Sequence, residues 1–89
     1  MKAVITVTGK DSVGIIAAVS AFCAEQSANI TEITQSVLSE YFAMIMIVEI
    51  DKLAIPFATF AEGLAEMGRA RALDVRAMHE DIFNTMHHI

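Results

Sequence analysis

Cysteine and proline are almost missing from this sequence, which has one of each among 89 residues, and tryptophan is absent. The single cysteine, Cys23, excludes an internal disulfide and a thiolate metal site. Because its neighbours are Ala21, Phe22 and Ala24, we expect its side chain to be a small hydrophobic part of the core. The longest apolar run covers residues 41–48, whereas a membrane-spanning helix needs roughly 20. The sequence therefore predicts no transmembrane segment.

Positive charge is also scarce, since six lysine and arginine residues stand against eleven acidic ones, for a net charge of -5. A protein that binds nucleic acid needs a positive face to neutralise phosphates, so this composition argues against such a partner. The apolar stretch at residues 3–7 is too short for a secretory signal, whose apolar region has about 7–15 residues. We therefore expect a cytoplasmic protein with no membrane association.

Apolar side chains are abundant: they make up 55% of the residues, and the mean hydropathy is +0.53. Eighty-nine residues predict one domain, residues 1–89, with a single modest core. That core cannot cover so many apolar side chains. We therefore expect a second copy of the chain to cover the remainder, in a homodimer.

The first half of the chain predicts a strand, a helix and a hairpin. Residues 2–8 alternate as a strand, and the helix spans residues 13–27, with an apolar face at i, i+4, i+7 and i+8 formed by Ile15, Val19, Phe22 and Cys23. The segment Ser27-Ala28-Asn29 ends this helix, and Asn29 tolerates a left-handed backbone or can bond to its own turn. Strands over residues 30–38 and 41–50 then form a hairpin about Ser39-Glu40. The second of them is apolar on both faces, so we expect it to be central and covered on both sides.

The second half predicts a helix, a strand and a helical tail. Pro56 suits the first position of the helix, and Gly68 is a plausible terminator. Its apolar face comprises Phe57, Phe60, Ala61, Leu64 and Met67 or Gly68. Residues 73–78 alternate as a fourth strand, and residues 78–89 form a short closing helix. With right-handed crossovers, this order predicts a ferredoxin-like βαββαβ fold, an α+β fold in which both helices cover one face of a four-stranded antiparallel sheet.

The turn at residues 8–15, between the first strand and the first helix, is the strongest candidate site. Gly9 allows the backbone to bend, and Gly14 exposes backbone amides without a side chain in the way. Asp11 or Ser12 would cap the helix and leave spare N–H donors for a carboxylate or a similar anion. The alternative is that this turn is only a well-capped helix start.

Catalytic patterns are absent, and we expect a non-enzymatic protein without a cofactor. Ser12 has no histidine nearby in sequence to activate it as a nucleophile. A metal site at the C-terminal end is a separate alternative, because histidine and carboxylate side chains are metal ligands. Its ligand types are His79, Glu80, Asp81, His87 and His88. On this alternative the protein is a small metal-binding protein or enzyme.

Two segments carry a family resemblance. Gly9-Lys10-Asp11-Ser12-Val13-Gly14-Ile15-Ile16, followed by Ala28-Asn29-Ile30-Thr31-Glu32-Ile33, resembles the signature of ACT domains. Residues 76–87 resemble the ending of small stand-alone bacterial ACT-domain proteins. The resemblance implies a regulatory module, often dimeric, that binds amino acids and acts on a regulated partner protein.

The resemblance also implies where a ligand would bind. In ACT domains the ligand typically lies between the strand-to-helix turn of one chain and a strand of its neighbour. By motif position this nominates a set of residues in two segments: Asp11, Ser12, Val13, Gly14, Ile15, Asn29 and Ile30. Ser12-Val13 stand where many relatives carry Arg-Pro, so the turn lacks a cation that could attract a carboxylate. A structural dimer with no ligand is the remaining alternative.

Overall fold

The computed structural model of the chain describes residues 1–10 and 14–86, and it has the predicted order of elements. The strands and helices are β1 (Lys2–Gly9), α1 (Ile15–Glu25), β2 (Asn29–Leu38), β3 (Tyr41–Glu49), α2 (Phe57–Ala70), β4 (Asp74–His79) and α3 (Glu80–Met86). The four strands form one antiparallel sheet in the order β2-β3-β1-β4. The ferredoxin-like arrangement is therefore confirmed.

The core lies between one face of the sheet and helices α1 and α2. Alternate residues of β1 and β3 are buried there, as the period-2 pattern predicted: Ala3, Ile5, Val7, Phe42, Met44, Met46 and Val48. The helices bury the faces that their spacing predicted, with Ile15, Val19 and Cys23 on α1 and Phe60 and Leu64 on α2. The rings of Phe22 and Phe60 stack at 5.6 Å between the two helices.

The opposite face of the sheet is covered on one half only. Val4 points to that face yet is only 2% exposed, and α3 is the helix that contacts both β1 and β4. Over β2 and β3 the same face is open, where Tyr41 is 55% and Ile45 43% exposed. Within the described residues β3 is therefore covered by helices on one face only, and the expected coverage of its other face by a second copy stays a prediction.

The β2–β3 hairpin turns at Ser39 and Glu40 as predicted, and Ser39 has a φ of 59°. β2 is an edge strand whose residues are exposed except for the half-buried Ile30. A bulge between Ile30 and Glu32 leaves Thr31 without a partner in the ladder, and its hydroxyl donates to the carbonyl of Ile47 at 3.1 Å. The bulge brings Ile30 and Ile33 to the same face of the sheet.

Helix ends are where sequence-based prediction failed. α1 ends at Glu25, just before the predicted segment Ser27-Ala28-Asn29, but the left-handed residue of that segment is Ser27, with a φ of 62°, and Asn29 already lies in β2. Pro56 is the N-cap of α2, one residue before its first helical position. Gly68 does not end α2: it is a buried helical residue where a Cβ would lie 2.5 Å from Val75 Cγ2 and 2.9 Å from the Leu73 carbonyl oxygen. It is a contact glycine that lets β4 approach the helix.

No helix in residues 1–10 and 14–86 is both long and apolar enough to cross a membrane. The C-terminal helix predicted for residues 78–89 is present as Glu80–Met86, and residues 87–89 lie outside the described part of the chain.

Candidate functional site

The β1–α1 turn differs from its predicted form at both ends. Asp11, Ser12 and Val13 lie outside the described residues. The N-cap of α1 is Gly14, which has a φ of 74° and no side chain to accept a hydrogen bond, so the prediction that Asp11 or Ser12 caps this helix is wrong. A left-handed backbone at this position favours glycine over every other residue.

Gly9 does not bend the chain, because it is the last residue of β1 and pairs with Phe42 of β3. Its role is close packing, since a Cβ on Gly9 would overlap Leu73 Cδ2. Leu73, just before β4, is thereby buried against the end of β1. The two glycines of the turn therefore have different physical roles.

The start of α1 offers backbone amides to a ligand. The Ala18 N–H donates to the Gly14 carbonyl at 3.0 Å, and the amides before it belong to the first helical turn, which an α-helix leaves without helical acceptors. No acidic side chain occupies that first turn. The side chain of Ile15 is fully buried in the core, so only its backbone is available to a ligand.

Arg71 supplies positive charge to this turn from the C-terminal end of α2. Its Nη1 atom lies 3.8 Å from the point where a Cβ on Gly14 would stand. Within residues 1–10 and 14–86, Arg71 has no ion-pair partner. Lys10 is a second cation beside the turn, and it has partners of its own. Its Nζ atom forms an ion pair with Glu40 Oε1 at 3.9 Å and lies 5.6 Å from the centre of the Tyr41 ring.

Sequence reasoning missed Arg71, although the predicted topology contained a signal for it. β1 and β3 are antiparallel, and each is followed by a helix that returns across the sheet. The C-terminus of α2 therefore comes to the end of the sheet where α1 begins. Any basic residue just after α2 is a candidate neighbour of the Gly14 turn.

Asn29 and Ile30 lie at the other end of the molecule. Asn29 pairs with Glu49, which pairs in turn with Lys2 at the start of β1, whereas the Gly14 turn follows the end of β1. The eleven residues of α1, about 16 Å of helix, separate the two segments. A groove of about 400 Å³ opens beside the second segment and is lined by Ser20, Ala24, Ser27, Ala28, Asn29 and Ile30. One chain therefore does not bring the two halves of the predicted site together.

The predicted metal ligands fall in a different region. The ring of His79 packs 4.2 Å from the ring of Phe57, and Glu80 and Asp81 form the first turn of α3. These three residues border a groove of about 470 Å³ with Met1 and Lys2. Across residues 1–10 and 14–86, no three His, Cys, Asp or Glu residues are grouped so as to hold a metal ion. His87 and His88 lie outside the described residues.

Cys23 has the structural role that its neighbours predicted. It is fully buried on the core face of α1, and this burial raises the pKa of its thiol to about 11. Since the thiolate is the reactive form of cysteine, the residue is an inert hydrophobic part of the core at neutral pH.

Comparison with known proteins gives consistent results. A family model described as an ACT domain matches residues 2–78. A UPF0237 protein of Clostridium perfringens is 44% identical over 89 residues, which is 100% of both chains. A solved ACT domain protein from Streptococcus pneumoniae has a TM-score of 0.81 and 38% identity, and the match covers 93% of each chain. The ligand-free regulatory subunit of aspartate kinase from Thermus thermophilus has a TM-score of 0.62 and 26% identity, over 86% of this chain and 50% of that one.

Proposed function

The chain belongs to the ACT domain family, and on that premise we propose that it is a non-catalytic regulatory module that binds an amino acid at the Gly14 turn. The aspartate kinase regulatory subunit, which shares the fold at 26% identity, supports a regulatory role in the chemistry of amino acids. As a sensor, the module transmits occupancy of its site to a second protein.

The observation that carries this proposal is the position of Arg71 beside Gly14. The family resemblance left the turn without a cation, because Ser12-Val13 replace the Arg-Pro of many relatives. Arg71 Nη1, 3.8 Å from the Cβ position of Gly14, brings a positive charge to the end of this turn from another element. Guanidinium groups bind carboxylates through two parallel hydrogen bonds, and the first amides of α1 add further donors. An α-carboxylate suits this combination.

We also propose that the module acts as a homodimer. Several large apolar side chains of the β2–β3 hairpin are exposed in the single chain: Ile33, Val37, Leu38, Tyr41 and Ile45. They lie on both faces of the hairpin, with Ile33 and Val37 on the helix side and the other three on the open side. Exposed apolar side chains that cluster in this way are characteristic of surfaces that another molecule covers. A second chain would also supply the Asn29 and Ile30 segment that one chain holds too far from the Gly14 turn.

Thermal unfolding of the purified protein with each amino acid at millimolar concentration tests the proposal. A ligand present at about 100 times its dissociation constant adds roughly 2.7 kcal/mol to the free energy of unfolding. We expect one amino acid, or a chemically related few, to raise the melting temperature. The corresponding amino-acid amide, which lacks the carboxylate, serves as the matched ligand control and should give no rise. If no amino acid shifts the melting temperature, the amino-acid proposal fails.

A further inference from the structure

The open face of the sheet has an uncovered half with the dimensions of one helix. α3 covers the β1–β4 half of this face, whereas β2 and β3 are uncovered within residues 1–10 and 14–86. Two strands are about 10 Å wide, which is the diameter of an α-helix with its side chains. The nine residues of β3 extend over about 30 Å, so a helix of about 18 residues would cover the uncovered half.

The floor of the uncovered half is apolar. Tyr41, Ile45 and Ile47 of β3 point to this face, and so does Leu38 of β2. Ile47 is half-buried and the other three are exposed, with Leu38 74% exposed. Exposed apolar side chains grouped in this way are typical of a surface that binds another protein.

α3 determines which kind of element can lie on this floor. Two sheets pack face to face at a separation of about 10 Å. α3, with a diameter of about 10 Å, already stands above β1 and β4, so a second sheet cannot approach the open face closely. A helix can, because it would lie beside α3 in the same layer, as neighbouring helices do at about 8–10 Å.

Acidic side chains border the uncovered half at the end far from Gly14. Glu32 of β2 and Glu49 of β3 occupy open-face positions, and Glu80 and Asp81 begin α3 at the same end of the sheet. None of these four carboxylates has an ion-pair partner in the part of the chain that the structure describes. A helix that docks here therefore needs basic side chains along its edges.

The cations of the open face do not cancel this negative charge. Arg76 of β4 pairs with Asp74 at 3.1 Å, and Lys10 pairs with Glu40 at the hairpin end of the uncovered half. Lys2 of β1 is the remaining cation at an open-face strand position of the described residues. Carboxylates thus outnumber cations on this face.

A second copy of the chain does not supply a complementary helix. α1 contains no basic residue, and α3 begins with two acidic residues. α2 exposes Glu62 and Glu66 as well as Arg69. Each of these helices would bring neutral or mainly acidic side chains to an acidic border, so the helix must come from a different protein.

We infer that the uncovered half binds a basic amphipathic helix of a second protein, which lies beside α3 with its apolar face on β2 and β3. This inference goes beyond the proposed function, because the helix lies on the opposite face of the sheet from α1 and α2. Its docking does not require an amino acid at the Gly14 turn. The open face is then where a regulated protein contacts the module.

Fluorescence anisotropy with a labelled synthetic peptide tests this inference. The probe has about 18 residues, with leucine on one face of the helix and lysine on the other. The full chain should bind this lysine peptide about tenfold more tightly than a peptide with glutamate in place of lysine, and than a scrambled peptide of the same composition. No binding of the lysine peptide, or equal binding of all three, would overturn the inference.

Two double variants of the hairpin identify the binding face. Tyr41→Gln with Ile45→Gln removes apolar groups from the floor, and we expect it to bind the lysine peptide about tenfold more weakly. Ile33→Gln with Val37→Gln is the matched control, since it changes two exposed apolar residues of the same hairpin on the other face. Circular dichroism checks that both variants are folded. An equal or larger loss of affinity in the control would contradict docking on the open face.

Charge variants give a second test that leaves the apolar floor intact. Glu32→Gln with Glu49→Gln removes two carboxylates from the border, and affinity for the lysine peptide should fall about fivefold. Glu62→Gln with Glu66→Gln removes the same charge from the exposed side of α2 and should change the affinity by less than about twofold. Equal losses would show that only the overall charge attracts the peptide, and the inference would be wrong.

Sedimentation without peptide checks for a second copy on the same face. We expect Tyr41→Gln with Ile45→Gln to keep the mass of the natural chain, whereas a halved mass would assign this face to a homodimer and overturn the inference. The thermal shift with amino acids is independent of these results. If the peptide binds as described and no amino acid stabilises the protein, the docking site stands and the proposed function fails. The opposite pair of results retains the proposed function and rejects the docking site.

Discussion

Arg71 and Gly14 come together at one end of the sheet, where the Arg71 Nη1 atom lies 3.8 Å from the Cβ position of the glycine. Gly14 begins α1, and Arg71 is the C-cap of α2. The contact places a guanidinium beside the first amides of a helix, where both groups favour an anion.

We expect Arg71→Gln to weaken binding of a stabilising amino acid by about tenfold, because a charge-assisted hydrogen bond contributes roughly 1.5–3 kcal/mol before solvent screening. Titration calorimetry measures the change. Arg69→Gln, which removes another exposed arginine from the last turn of α2, is the control and should retain normal affinity. Equal loss in both variants would show that only general charge matters.

Gly14→Ala should lower the free energy of unfolding by about 1 kcal/mol without any ligand, because its φ of 74° places a Cβ in a strained position. Ala72 provides the reciprocal test, since it already has a φ of 58°. Ala72→Gly should raise the free energy of unfolding by up to about 1 kcal/mol. Urea denaturation of both variants measures these changes, and changes of the same sign would refute the assignment of backbone strain.

Gly68→Ala should destabilise the protein by about 1–3 kcal/mol, although alanine favours a helix over glycine by about 1 kcal/mol. The added Cβ would lie 2.9 Å from the Leu73 carbonyl oxygen, and a backbone atom of a paired segment cannot move away easily. Gly63→Ala is the matched control on the same helix. Its Cβ would meet the tip of the Phe22 ring at 2.7 Å, and this half-buried side chain can shift. Thermal unfolding should therefore show the smaller loss for Gly63→Ala.

The buried thiol of Cys23 should make stability depend on pH in the alkaline range. Burial raises the pKa of this thiol from 9.0 to about 11, so the folded chain keeps the proton that the unfolded chain loses. The stabilising contribution is complete below pH 9 and is lost as pH rises to 11, a total of about 2–3 kcal/mol. Urea denaturation at pH 8 and pH 10.5 should show a larger decrease for the natural chain than for Cys23→Ala. Identical decreases would assign the pH dependence to other groups.

Much of the fold could be predicted from the sequence because hydrophobic periodicity is a local signal. The alternation of Ala3, Ile5 and Val7 and the helical spacing of Ile15, Val19 and Cys23 fixed which faces are buried. With right-handed crossovers, the order of these elements then predicted the ferredoxin-like topology. Of the candidate site, the sequence nominated the Gly14 turn and the Asn29 segment, and both stay predictions as ligand-binding elements.

The errors concern positions whose role depends on distant neighbours. Gly68 resembles a helix terminator in the sequence, yet in the three-dimensional packing its missing side chain leaves room for Val75 and Leu73. Gly9 resembles a bending residue, but it makes room for Leu73 at the end of β1. In a sequence, a glycine that is needed for close packing looks the same as a glycine that is needed for a positive φ. Only the tertiary structure distinguishes these two roles.

By itself, the sequence determined the elements, their buried faces and the family, since these follow from local periodicity and a short motif. Only the tertiary structure decided that Arg71 lies beside Gly14, that Asn29 lies at the opposite end of α1, and that β2 has a free edge. These relationships arise from the crossing of α1 and α2 over the antiparallel sheet. Because β1 and β3 are antiparallel, the C-terminal end of α2 lies beside the N-terminal end of α1. Local sequence patterns do not indicate which side chains meet there.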